Sequence, residues 1–110
     1  MTLSTHVLDT ARGEPGRGVP VHLDRWDGPG GGWVAVADGR TDDDGRLGDW
    51  VPAERWGSGR YRLVFDTAAV LGAGAFFPEV TVVFEVAEPA RHHHIPLLLS
   101  PFSYTTYRGS

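Results

Sequence analysis

Three histidines stand in a row, His92, His93 and His94, inside the stretch RHHHIPLLLSP, and another, His6, lies in THVLDT near the start. Imidazole titrates near neutrality, so it can take a proton from water without help from a metal. If the histidine run is a strand, alternation sends His92 and His94 to one face and His93 to the other, which makes His92 and His94 neighbours. Two plainer readings stand beside this: a weak metal-binding tract, or a partly solvated edge strand. His6, taken alone, reads as a packed or capping residue. Arg46, which ends TDDDGR, and Arg108, in the terminal YTTYRGS, are permanent cations whose planar paired donors suit carbonyl or anionic oxygens. Most arginines face solvent, as expected of Arg12, Arg17 and Arg40. Asp42, Asp43 and Asp44 before Gly45 look like part of a calcium loop. The alternating ligands and closing glutamate are missing, and only Asp49 follows between Leu47 and Trp50, so a turn is expected. No serine sits in a G-x-S-x-G elbow, and no glycine-rich phosphate loop follows a strand. Cysteine is absent, which removes disulfides, thiolate chemistry and sulfur-based zinc sites.

The elements that must hold these groups repeat with period two. VTVVFEV sets Val80, Val82, Phe84 and Val86 against Thr81, Val83 and Glu85, and RYRLVF sets Tyr61, Leu63 and Phe65 against Arg60, Arg62 and Val64. VPVHLDRW places Val19, Val21 and Leu23 opposite Pro20, His22 and Asp24; GWVAVADG places Val34 and Val36 opposite Ala35 and Ala37. With shorter candidates at THVLD, RLGDW, HHHIPLLL and YTTYR, the chain reads as about eight strands separated by Gly, Pro and Asp clusters: an all-β, antiparallel sandwich. DGPGGG is expected to be a hairpin turn or flexible tip. One short helix is expected in DTAAVLGAG, with Asp66 or Thr67 as its cap and Gly72 or Gly74 as its end. The terminal YTTYRGS is dense in aromatic and β-branched residues for a chain end, the composition of a strand packed against something.

At 110 residues the chain has room for one domain, residues 1–110, and the 41% apolar, 22% charged composition is that of a folding globular chain. The net charge of −4 argues against a nucleic-acid surface, which needs a basic stripe. No apolar run approaches the roughly 18 residues that cross a bilayer, and MTLSTHVLDT lacks a basic segment followed by an apolar one, so a cytoplasmic protein with no membrane partner is expected.

HVLDT, TDDDGR, FFPEVTVVFEV, HHHIPLLLSP and the final YRGS together resemble the transthyretin-like 5-hydroxyisourate hydrolases of urate breakdown, nearly end to end. The terminal tetrapeptide, the internal arginine and the two histidines occur in the family's order, and transthyretin, the hormone-carrying relative, lacks them. The resemblance implies a transthyretin-like sandwich with His6, Arg46 and His94 as catalytic residues. It implies Tyr107, Arg108, Gly109 and Ser110 as substrate-binding residues, with His92 pointing the same way. It implies 5-hydroxyisourate as the small-molecule substrate, no cofactor, no metal, and a homotetramer built as a dimer of dimers, with sites in a channel between the pairs. His6 and His94 would position and deprotonate water while Arg46 and Arg108 bind the heterocycle, with neighbouring guanidiniums keeping the imidazoles neutral. There are two departures from the pattern: His93 stands where the family commonly has tyrosine, expected to touch packing or an interface rather than chemistry, and Phe102-Ser103 replace an aromatic-glycine pair. A non-catalytic carrier and a metal hydrolase using His92, His94 and His6 are the competing readings. The first has no need of the His and Arg set, and the second lacks an evident carboxylate ligand.

Overall fold

Alternating apolar side chains force a strand to bury one face, and here two sheets bury theirs against each other. The structure, a computed structural model, describes residues 2–109. Its strands are β1 (Leu3–Asp9), β2 (Glu14–Pro15), β3 (Pro20–Trp26), β4 (Trp33–Arg40), β5 (Arg46–Leu47), β6 (Gly59–Phe65), β7 (Val80–Val86), β8 (His93–Ser100) and β9 (Ser103–Thr106). One sheet runs β2-β1-β8-β9 with β5 also on β1, and the other runs β4-β3-β6-β7. Between them lie Leu3, Val7, Val21, Leu23, Tyr61, Leu63, Phe65, Val80, Ile95, Leu97 and Leu99, all buried.

The sandwich is antiparallel except at its centre, where β1 and β8 run parallel with Ser4 opposite His94 and His6 opposite Pro96. A parallel pair requires a long crossover, and the whole second sheet supplies it in the sequence between the two strands. LLLS lies in β8, flanked by β1 and β9.

Local departures follow from local chemistry. A bulge between Leu23 and Asp24 in the β3–β4 pairing lets Ala37 as well as Val36 pack on the core, which breaks the alternation expected of GWVAVADG. DGPGGG joins β3 and β4 as a hairpin connection, the first of the two expectations, and within it lies a four-residue helix, α1 (Gly28–Gly31), closed by the Asp27 N–H donating to the Gly32 carbonyl at 2.8 Å. The expected helix exists as α2 (Ala68–Leu71), with Thr67 at its cap position and Gly72 ending it at φ +89°. The Thr67 hydroxyl donates to the Phe77 carbonyl instead of capping the helix. RLGDW pairs only through Arg46–Leu47, since the backbone turns at Asp49 with φ +50°. Among the described residues, no helix is long and apolar enough to cross a membrane.

Candidate active site

Burial of Leu3, Thr5 and Val7 on β1 turns Ser4 and His6 to the outer face of their sheet. Two pairings then add to that face: β8 sets His94 opposite Ser4, and β5 sets Arg46 opposite His6. Residues directly opposite each other in a ladder project to the same side, so His6, His94, Ser4 and Arg46 share one outer face.

The turn before β5 is built for this placement. The Asp42 carboxylate accepts from the N–H groups of Asp44 and Arg46, each at 2.9 Å, and Gly45 turns the chain at φ +76°. The TDDDG segment is thus the turn expected of it. The same loop anchors His6, whose Nε2 lies 2.9 Å from the Asp44 carbonyl oxygen. A carbonyl only accepts, so Nε2 carries the proton, and neutral His6 keeps its lone pair on Nδ1.

On β8, alternation works as expected. His93 is buried on the inner side, its Nδ1–H donating to the Arg91 carbonyl at 2.8 Å and its ring meeting Trp56 edge-on at 5.7 Å. His92 and His94 lie together on the outside, rings stacked at 6.5 Å, both within hydrogen-bond distance of Ser4 Oγ. The pKa of His94 is lowered, first by burial and then by the positive potential of His92, His6 and Arg46. Arg46 acts on this imidazole in the direction expected of guanidinium charge, but burial, His92 and His6 each contribute more.

The chain end returns to this place. Beyond β9, Gly109 bridges to His94, its N–H donating to the His94 carbonyl at 2.7 Å. A Cβ on Gly109 would stand 2.7 Å from His94 Cδ2, so only glycine lets the backbone pass this close to the imidazole. Tyr107 and Arg108 are exposed and line, with His94, Ile95, Val82 and Phe84, an open cavity of about 240 Å³. Ser110 lies outside the described residues. The structure therefore joins His6, Arg46, His92, His94 and Gly109 into one cluster, with Tyr107 and Arg108 on a cavity that borders it. Among the described residues, no three His, Asp or Glu side chains converge as a metal-binding group.

Sequence reasoning missed Ser4. Its signal was its position two residues before His6, which puts both on one strand face, but its contact to His94 follows only from the register with β8.

Residues 3–109 match the HIUase/Transthyretin family. The chain is 46% identical to the Uric acid degradation bifunctional protein TTL of Arabidopsis thaliana over 98% of its own length, and it spans 37% of that longer protein. It is 42% identical to the 5-hydroxyisourate hydrolase of Mus musculus, over 98% of this chain and 94% of the mouse protein. In three dimensions it superposes on sea bream transthyretin in complex with thyroxine with a TM-score of 0.90 at 34% identity, covering 99% of this chain and 95% of the other.

Proposed function

The chain belongs to the HIUase/Transthyretin family, and we propose that it is one of the hydrolases of that family. Its reaction is the hydrolysis of 5-hydroxyisourate to 2-oxo-4-hydroxy-4-carboxy-5-ureidoimidazoline in purine (urate) degradation. The observation that carries this reading is the convergence of His6, Arg46 and His94 on one sheet face, with His94 biased toward its neutral, basic form.

Water addition to an acyl carbon needs a proton acceptor and a cradle for the negative charge that develops on oxygen. Neutral His94 accepts the proton as the water oxygen bonds to the carbon. His6, held by its Nε2–H on the Asp44 carbonyl, presents a second imidazole to orient that water. Arg46, facing His6 across the β1–β5 ladder, steadies the oxyanion, and Arg108, beside the Gly109 bridge, holds the heterocycle with Tyr107, His92 and the terminal Ser110. When the tetrahedral adduct collapses, the carbon–nitrogen bond breaks and a protonated imidazole supplies the departing ring nitrogen. The chain works as one domain without a metal or cofactor, in the cytoplasm, as a homotetramer whose outer sheet faces meet in pairs.

The hormone-carrier reading draws on the superposition with sea bream transthyretin. A carrier has no use for a base of lowered pKa beside a guanidinium. The two readings separate when purified protein is mixed with freshly generated 5-hydroxyisourate and the ultraviolet decay is followed, with and without chelator. Decay faster than the spontaneous rate and indifferent to chelator is expected. Decay at the spontaneous rate overturns the hydrolase reading, and chelator-sensitive decay overturns its metal-free form.

A further inference from the structure

One hydroxyl stands between two imidazoles on the outer face of the β1–β8 pair. Ser4 Oγ lies 2.7 Å from His94 Nδ1 and 2.8 Å from His92 Nε2. The fold fixes this contact: Ser4 is the β1 residue directly opposite His94, and the adjacent Thr5 hydroxyl donates to the Ile95 carbonyl at 2.6 Å. A hydroxyl has one hydrogen to give and lone pairs to receive. In a hydrogen-bonded chain that runs from one imidazole to the other through the hydroxyl, one ring takes the Ser4 hydrogen while the other gives an N–H of its own. With both rings neutral, two arrangements satisfy this. In one, His94 Nδ1–H donates to Ser4 and Ser4 donates to His92 Nε2, which leaves the lone pair of His94 on Nε2. In the other, every donor is reversed and His94 Nε2 carries the proton, which disqualifies that atom as a base.

We propose that Ser4 is a positioning residue for the hydrolysis: a hydroxyl bridge that keeps the lone pair of His94 on Nε2 and conducts a proton from His94 Nδ1 to His92 Nε2. The proposal rests on the hydrolase reading above. As water attacks, its O–H breaks, its oxygen bonds to the acyl carbon, and the hydrogen goes to His94 Nε2. The Nδ1 hydrogen of His94 passes to Ser4 Oγ, and the hydrogen already on Ser4 passes to His92 Nε2. The positive charge ends on His92, and nothing is oxidised or reduced. On ring opening the chain runs backward: His94 Nε2–H goes to the departing nitrogen, Ser4 returns a hydrogen to His94 Nδ1, and His92 Nε2 restores the hydroxyl.

The direction of transfer follows from exposure. His94 is half-buried beside Arg46, where a cation is poorly hydrated, whereas His92 is exposed to water. The bridge thus moves charge from the place where it is costly to the place where it is not.

Two β-branched replacements at this strand position test the hydroxyl itself. Ser4→Thr keeps it; Ser4→Val has nearly the shape of threonine without it. Expected is a loss of kcat on the order of 10²-fold in Ser4→Val with little change in KM, the scale of positioned proton transfer, while Ser4→Thr retains most of kcat. Because Ser4 and His92 act in one chain, Ser4→Val combined with His92→Gln is expected to be no slower than Ser4→Val alone. Wild-type kcat in Ser4→Val, or losses that simply multiply in the double variant, overturns the bridge. Wild-type turnover above the spontaneous rate tests the hydrolase reading separately. Independently of substrate, long-range 1H–15N spectra of neutral His94 should show the proton on Nδ1 in the wild type and in Ser4→Thr, and mixed tautomers in Ser4→Val. A wild-type proton on Nε2 overturns the proposal whatever the turnover.

Discussion

His94 sits where three influences act in the same sense: it loses water, it faces His92 and His6, and it lies near Arg46, so its pKa falls below the ordinary 6.5. A general base works deprotonated. Turnover should therefore fall on the acid side only as pH drops through this lowered value, and should be level from there past 6.5. Removing one cation with Arg46→Gln should move the acid limb upward toward 6.5 in addition to slowing the reaction, as a kcat/KM profile against pH will show. A wild-type limb at or above 6.5 would contradict the assignment. The same shift has a stability consequence, because a histidine that resists protonation in the folded state favours folding above pH 6.5 and loses that advantage as pH falls through its folded value. At this scale the sequence was generous. Alternation alone separated His92 and His94 from His93, and the family pattern pointed to His6 and Arg46. Ser4 stayed hidden because a lone serine in a strand carries no signal until the residue across the ladder is known.

Among the elements, the turn between β4 and β5 decides whether Arg46 reaches His6. Gly45 holds φ +76°, its carbonyl accepts from the Val7 N–H at 2.7 Å, and an added Cβ would collide with the Val7 carbonyl oxygen, which is backbone and cannot swing away. Gly45→Ala should lower stability by roughly 1–3 kcal/mol, the usual cost of backbone strain, and should lose activity beyond what the lost stability explains. Thermal unfolding beside turnover at a temperature where both proteins are folded will separate the two effects. On the opposite sheet, β3 and β4 carry a second imidazole cluster with no tie to the site. His22 Nδ1 lies 2.5 Å from Asp38 and its Nε2 2.5 Å from buried Asp24, which also takes Arg62 Nε at 2.7 Å. The Asp38 hydrogen bond leads in raising the His22 pKa, aided by Asp24 and opposed by burial. Folding thus gains from the protonated ring fully below pH 6.5, and the gain is lost as pH rises through the raised folded value. The melting temperature of the wild type relative to His22→Gln should shrink between pH 6 and pH 9, and a gap that widens would reverse the sign. Strand periods in VTVVFEV and RYRLVF could be read directly, because burial of one face imposes them. The β3–β4 bulge, the parallel β1–β8 pair and the helix in DGPGGG could not, since each depends on a partner strand or on glycine backbones that carry no pattern.

For the molecule as a whole, the question is which sheet edges remain open. The β4 edge is answered within the chain: Arg55 donates to the Ala35 carbonyl at 2.6 Å and the Val36 carbonyl at 3.2 Å, occupying acceptors that another strand could use. At the other end of each sheet stand β7 and β9, and beside β9 lies an aromatic cluster in which Phe76 contacts Phe77 and Phe102 while Phe77 contacts Tyr104. Phe102 is 77% and Phe76 65% exposed, an apolar patch next to an open strand edge, which is the combination that recruits another chain. If the homotetramer forms through this edge, a charge placed on the patch has to be desolvated on assembly. Phe102→Glu should then shift sedimentation equilibrium toward smaller species at the concentration where the wild type sediments as four chains, with unchanged circular dichroism, because Phe102 contributes nothing to the buried core. Turnover should fall in proportion to the single sandwiches released, since the proposed sites lie where outer sheet faces of paired subunits meet. A wild type that sediments as a single chain and still hydrolyses the substrate would place the complete site within one sandwich.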